Sequence, residues 1–187
     1  MIGYPSNVLV VADYPKPRFE EDIRSKIDFV LSLGDVETPI LEELHLRFQT
    51  RIFAVKGNHD STKPFPEYVT DVHLRFVQHR NWYIGGFGGV PGYKGSGAYE
   101  WDDLSAAEKL SKLPYVDIFI CHAPLLGITD KEDYAHQGSE AIKHYIDAQQ
   151  PKYVYHGHVH EKMGAMVGET AVVSVFGADV FHLTYSS

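Results

Sequence analysis

Five short apolar runs recur along the 187 residues: Val8-Leu9-Val10-Val11, Phe29-Val30-Leu31, Ile52-Phe53-Ala54-Val55, Val116-Asp117-Ile118-Phe119-Ile120 and Tyr153-Val154-Tyr155. Runs this short, rich in β-branched and aromatic residues, read as buried strands. Helical stretches between them favour a largely parallel sheet with helices on its outer face. Each run is followed by residues that carry chemistry: Asp13, then Gly34-Asp35, Gly57-Asn58-His59-Asp60, His122, and Gly157-His158-Val159-His160. Five strand ends therefore point these side chains into one cleft. The set mixes carboxylate, amide oxygen and imidazole, which suits Mn, Fe, Zn or Co better than a thiolate-dominated set would. A Gly-Asp pair alone is a common turn; the ordered constellation is what points to metal chemistry. His158 and His160 lie two residues apart, so an extended segment puts both imidazoles on one face.

Read as blocks, these segments resemble the pattern of the calcineurin-like metallophosphoesterase family, D-x-H, G-D, G-N-H-[DE], H and G-H-x-H, over nearly the whole chain. The first block departs from it, because Asp13-Tyr14-Pro15 has proline where the family has an imidazole. The sequence is similar to a bacterial-type subgroup altered at that block alone. The resemblance implies a four-layer α/β/β/α sandwich, two packed mixed sheets flanked by helices. It also implies two divalent metal ions, with Mn the first choice and Fe, Zn, Co or Mg as alternatives. By the same resemblance Asp35 bridges the ions, Asn58, His122 and His158 complete the second site, and Asp13 and His160 belong to the first. His59 faces the phosphate. The first site is one imidazole short, with water or Tyr14 as the alternatives for that position, and is expected to be weaker, more labile, or selective for an oxygen-loving ion such as Mn or Mg.

The implied reaction is hydrolysis of a phosphoester of a small molecule or nucleotide, a diester before a monoester because the chain is short and has no cap domain. Two ions about 4 Å apart would polarise the phosphate and activate a water, while His59 would stabilise charge or protonate the leaving group. No Ser or Cys stands in a nucleophile motif. A different class is a catalytically silent scaffold for protein interaction, which the loss at Pro15 favours and the retained Asp13, His59 and His158/His160 pair oppose.

Composition bounds the partners. With 17 basic against 25 acidic residues the formal charge is −8, which argues against a grip on nucleic-acid backbone or an anionic membrane and disfavours a nuclease. Cys121 is the only cysteine, so no intramolecular disulfide forms and a reducing compartment is expected. No signal core and no apolar run of membrane-spanning length is visible, so a soluble cytoplasmic protein is expected. The length suits one domain over residues 1–187; oligomeric state is not legible.

The expected elements are strands near 7–12, 28–33, 51–56, 115–121 and 152–156, and helices near 18–26, 37–48, 103–112 (started by Asp102 or Asp103) and 138–149. Residues 68–90 read as short extended pieces and 162–184 as three β-rich runs. Seven of sixteen glycines fall between Gly85 and Gly97; Lys94-Gly95-Ser96 has the wrong order for a phosphate-binding loop, so the segment reads as a bulged strand end and flexible loop, with Tyr93 and Lys94 on a flap over the substrate as the minority alternative. His136 reads equally as a site residue or a solvated loop histidine, and His156 as a packing residue or a support to the ligands. His45, His73, His79, His144 and His182 read as surface or packing residues.

Overall fold

The structure, a computed structural model, describes residues 5–93 and 97–185; Lys94, the second residue of the flap alternative, lies outside them. In chain order the elements are β1 (Ser6–Ala12), β2 (Phe29–Ser32), α1 (Thr38–Phe48), β3 (Ile52–Ala54), β4 (Val69–Asp71), β5 (Phe76–His79), β6 (Trp82–Phe87), β7 (Val90–Pro91), β8 (Glu100–Trp101), α2 (Asp103–Leu110), β9 (Ile118–Cys121), α3 (Glu140–Gln149), β10 (Tyr153–His156), β11 (Met163–Val167), β12 (Thr170–Ser174) and β13 (Gly177–Leu183). Two large mixed sheets result, in the orders β13-β1-β2-β3-β4 and β11-β12-β10-β9-β6-β5, with β7 and β8 forming a small pair. Strands β1 to β4 run parallel with antiparallel β13 beside β1. In the second sheet β12, β10, β9 and β6 are parallel and β11 and β5 close the edges antiparallel.

The period of two along each strand builds the layers. In β1, Val8 and Val10 face the second sheet, whereas Leu9 and Val11 face the layer of α1. In β9, Ile118 and Ile120 meet the first sheet, whereas Phe119 and Cys121 lie against α2 and α3. Strands buried on both faces read as continuous apolar runs, which is why these were visible in the sequence. Helix α1 buries Ile40, Leu41 and Leu44, each worth about 1.5–3 kcal/mol. Helices α2 and α3 are capped by Asp102 accepting from Ser105 N (2.9 Å) and Ser139 accepting from Ile142 N (3.0 Å). The α/β/β/α layering is thus as expected. No helix among the described residues is long and apolar enough to cross a membrane.

The helix expected near 18–26 does not form. Phe19, Ile23 and Ile27, spaced by four, imitate a helical stripe, and all three do pack into the α1 layer. They reach it on an irregular course because the backbone is bonded elsewhere: Phe19 N donates to Glu43 Oε2 (2.6 Å) and Glu20 N to the Tyr14 hydroxyl (3.2 Å). Such tertiary bonds override a weak local preference. A second correction concerns Gly85 and Gly86, which sit inside β6 and not in a bulge; a Cβ at Gly86 would lie 2.3 Å from Ile120 O.

Candidate metal centre

The carboxyl ends of β1, β2, β3, β9 and β10 meet where the two sheets face each other, the usual place for ligands in parallel α/β structures. Cross-sheet bonds lock the meeting point. His122 Nδ1–H donates to Leu33 O (2.9 Å) and His158 N to Asp13 Oδ2 (2.7 Å), while within the second sheet Gly157 N donates to His122 O (3.2 Å). Asp13, Asp35, His158 and His160 all have left-handed backbones, with φ of 46°, 54°, 71° and 53°. Each such non-glycine residue costs about 1–3 kcal/mol, and strain of this kind gathers at functional sites. Gly57 is required by close approach, since a Cβ there would lie 2.2 Å from Asp35 Oδ1.

His122 is fully buried at the centre. Because Nδ1 is committed to Leu33, Nε2 is the atom turned to the cleft. It lies 3.1 Å from Asn58 Oδ1, 3.3 Å from Asp35 Oδ2 and 3.9 Å from Asp13 Oδ1. A bare nitrogen lone pair facing three oxygens is repulsive, so this position calls for a proton or a metal cation. In the metal-free protein it calls for the proton. Burial opposes the imidazolium, but the Asp35 hydrogen bond and the charges of Asp13 and Asp35 outweigh it and push the His122 pKa up to about 9. One imidazolium cannot neutralise both carboxylates. Asp35 is held below the usual carboxylate range; burial acts against this and is outweighed by His122 and by the His59 N–H. Asp13 is pushed up, chiefly by burial, and its Oδ1 is buried without a hydrogen-bond partner among the described residues. A short supply of positive charge, an orphaned carboxylate oxygen, and donor atoms of Asp13, Asp35 and His122 all within 4.8 Å of one another fit a divalent ion.

The surrounding groups hold these donors. Asp35 Oδ1 accepts from His59 N (2.8 Å), leaving Oδ2 for the cleft. Asp60 Oδ2 accepts from both Asp35 N (2.9 Å) and Gly57 N (2.8 Å), tying two ligand loops together. Asn58 donates Nδ2–H to the Tyr93 hydroxyl (3.1 Å), which turns Oδ1 toward His122.

The remaining sequence-predicted residues stand differently. His160 is more than half exposed, with Nε2 3.4 Å from Asp13 Oδ1. His158 turns Nε2 away from the cluster to Ala135 O (2.7 Å), so Nδ1 is its open donor; burial first, then the His122 charge, hold its pKa down at about 3. His59 is exposed and its imidazole makes no hydrogen bond among the described residues. His156 is fully buried and packs, Nδ1 on Gly157 O (2.9 Å). Tyr14 does not approach the ligands: its hydroxyl bonds Glu21 and its ring stacks on Phe19, 5.4 Å between centroids.

A family model described as a calcineurin-like phosphoesterase superfamily domain matches residues 8–176. The chain belongs to that superfamily. Among curated proteins, none matches its sequence. Solved structures share the fold of this superfamily member at low identity. The protein TT1561 of Thermus thermophilus superposes with a TM-score of 0.66 at 17% identity, over 93% of this chain and 90% of that one. A dimetal phosphatase from Danio rerio gives 0.57 at 11%, over 92% and 87%. The phosphopantetheinyl hydrolase from Mycobacterium tuberculosis gives 0.54 at 13%, over 92% and 90%.

Sequence reasoning about this phosphoesterase domain passed over Asp60, the orienting bond of Tyr93 and the pairing of Asp133 with His136. Asp60 sat in plain view as the last residue of its block, and Asp133 lies three residues before His136. The contacts that give them roles join segments distant in sequence or depend on loop shape.

Proposed function

We propose that this chain is a metal-dependent phosphoesterase, with phosphodiesters its preferred substrates. The observation that carries the reading is the cluster of Asp13 Oδ1, Asp35 Oδ2 and Asn58 Oδ1 around His122 Nε2, short of positive charge and already locked by cross-sheet bonds. Asp35, Asn58, His122 and His158 would hold one divalent ion and Asp13, Asp35 and His160 the other. When bound, such ions act as Lewis acids on phosphate oxygens and lower the pKa of water toward neutrality.

The residues do the rest. Asp35 is fixed by the His59 N–H and by Asp60, so it need not reorganise as charge develops. The His59 imidazole, exposed and without a hydrogen bond among the described residues, would meet the substrate phosphate and protonate the departing oxygen. A cavity of about 310 Å³ lies along the same loop, walled by Lys56, Lys63, Phe65, Asp71, His73 and Tyr99. Lys56 Nζ sits 4.0 Å from the Phe65 ring centroid. In a chain of formal charge −8, a cavity with two lysines against the one carboxylate of Asp71, and with the rings of Phe65 and Tyr99 in its wall, favours an organic group bearing negative charge, which supports a substrate larger than a bare phosphate.

Turnover of aryl phosphodiesters and monoesters, measured while Mn is titrated into metal-free protein, tests the reading. Metal-dependent hydrolysis with the diester faster supports it, and faster monoester turnover corrects the substrate class. A second reading, a silent protein-interaction scaffold, is favoured by the lost first-block imidazole; absence of turnover in metal-replete protein would establish it.

A further inference from the structure

With Tyr14 turned away, the Asp13 side of the site has a carboxylate oxygen and His160, and no described residue of the first block stands in place of the imidazole that Pro15 cannot supply. The segment 130–138 brings another imidazole to it. His136 lies 5.1 Å from the His158 ring and 6.1 Å from the His160 ring, centroid to centroid. Two imidazoles on one ion, with metal–nitrogen distances of about 2.0–2.1 Å, have centroids roughly 5 Å apart, so a small side-chain rotation of His136 or exposed His160 brings that pair to the spacing. His158 already stands at it, and a loss at the second site in place of the first would assign His136 to the ion of His158.

The histidine is also prepared as a ligand. Its Nδ1 lies 2.8 and 2.9 Å from the two carboxylate oxygens of Asp133, which fixes the Nδ1–H tautomer and leaves Nε2 as a lone-pair donor. Nε2 makes no hydrogen bond among the described residues. Carboxylate–histidine pairs of this kind orient imidazoles at metal centres and raise their basicity. The loop is pinned on the site side: Ala135 O accepts His158 Nε2 (2.7 Å), and Lys131 Nζ meets Glu161 Oε1 at 2.7 Å, next to His160. Asp133 Oδ1 further accepts Ala135 N at 3.1 Å.

We propose that His136, oriented by Asp133, is the third ligand of the first metal site, beside Asp13 and His160, replacing the imidazole absent at Pro15. The inference rests on the metal-dependent reading above. It makes the altered first block a relocation of a ligand and not the loss of one.

Calorimetric titration of metal-free protein with Mn, on wild type, His136→Ala and Asp133→Asn, tests this, with circular dichroism to certify the fold. The expected result is two ions in wild type, first-site affinity lowered at least 10-fold in His136→Ala with the second site unchanged, and a smaller loss in Asp133→Asn. Electron spin-echo spectra of the Mn-loaded variant should lose one nitrogen coupling. Two ions bound with unchanged affinity by His136→Ala would overturn the assignment while leaving the phosphoesterase reading intact. No ion bound by wild type would overturn that reading and this one with it.

Discussion

Asp60 accepts the backbone N–H of Asp35 at 2.9 Å, so the carboxylate that ends one ligand block holds the backbone of another. The same oxygen accepts Gly57 N at 2.8 Å. Two loops after neighbouring parallel strands are thereby made one unit, and the bridging position proposed for Asp35 depends on a residue that need not touch a metal.

Asp60→Ala should therefore act on both stability and affinity. Two backbone donors lose their acceptor, and each unsatisfied buried group costs about 1–3 kcal/mol. Thermal melting of the metal-free variant should show the destabilisation, and metal titration a weaker second site. An unchanged melting temperature would mean that water replaces Asp60 fully.

The pH response of the metal-free protein follows from His122. Its pKa is raised from 6.5 to about 9 on folding, so its contribution to stability is complete below about pH 6.5 and is lost as pH rises through about 9. The difference in melting temperature between metal-free wild type and His122→Gln should shrink over that window. Metal competes with the same proton, so affinity should climb with pH up to about 9 and then level off. Affinity that falls with pH across the window would contradict a protonated His122.

Replacing Pro15 with histidine should not repair the first block. Pro15 is exposed, and its neighbour Tyr14 is buried in the α1 layer with its hydroxyl on Glu21. The chain after Asp13 is thus committed to a different course, which the fixed φ of proline supports. Metal titration of Pro15→His should match wild type; a clear gain in first-site affinity would show the backbone free to present a ligand there.

This loop also marks where the sequence stopped being legible. Strands β1, β2, β3, β9 and β10 are buried on both faces, so their apolar runs are continuous and their ends could be read with the residues that follow. The irregular segment 14–28 carries an apolar spacing of four that a helix would also produce, and only the bonds from Glu43 and Tyr14 decide against it. Within the site, the blocks that carry the candidate ligands were visible because they are contiguous. The groups that aim them were not: Tyr93 orients Asn58 across 35 residues, and Leu33 fixes the His122 tautomer across 89. The shared face expected of His158 and His160 assumed an extended segment, whereas β10 ends at His156 and both histidines have left-handed backbones. His158 is buried, His160 is exposed, and His158 Nε2–H donates to Ala135 O, a partner that only the folded loop supplies.

His59→Ala should leave fold and metal content intact, since the backbone N–H that holds Asp35 remains. Turnover should fall roughly 100-fold or more, as expected when a general acid or charge-stabilising group is removed. Equal turnover in a metal-replete variant would remove His59 from the mechanism.

The most direct test is the metal content of Asp35→Asn. Asp35 presents Oδ2 to His122 within the donor cluster and is the one carboxylate assigned to both ions. Elemental analysis of wild type and variant, loaded with Mn and freed of excess ion, should show two ions per chain falling toward none, with hydrolysis lost in parallel. A variant that retains two ions, or a wild type that holds none, would contradict a dinuclear site bridged by Asp35.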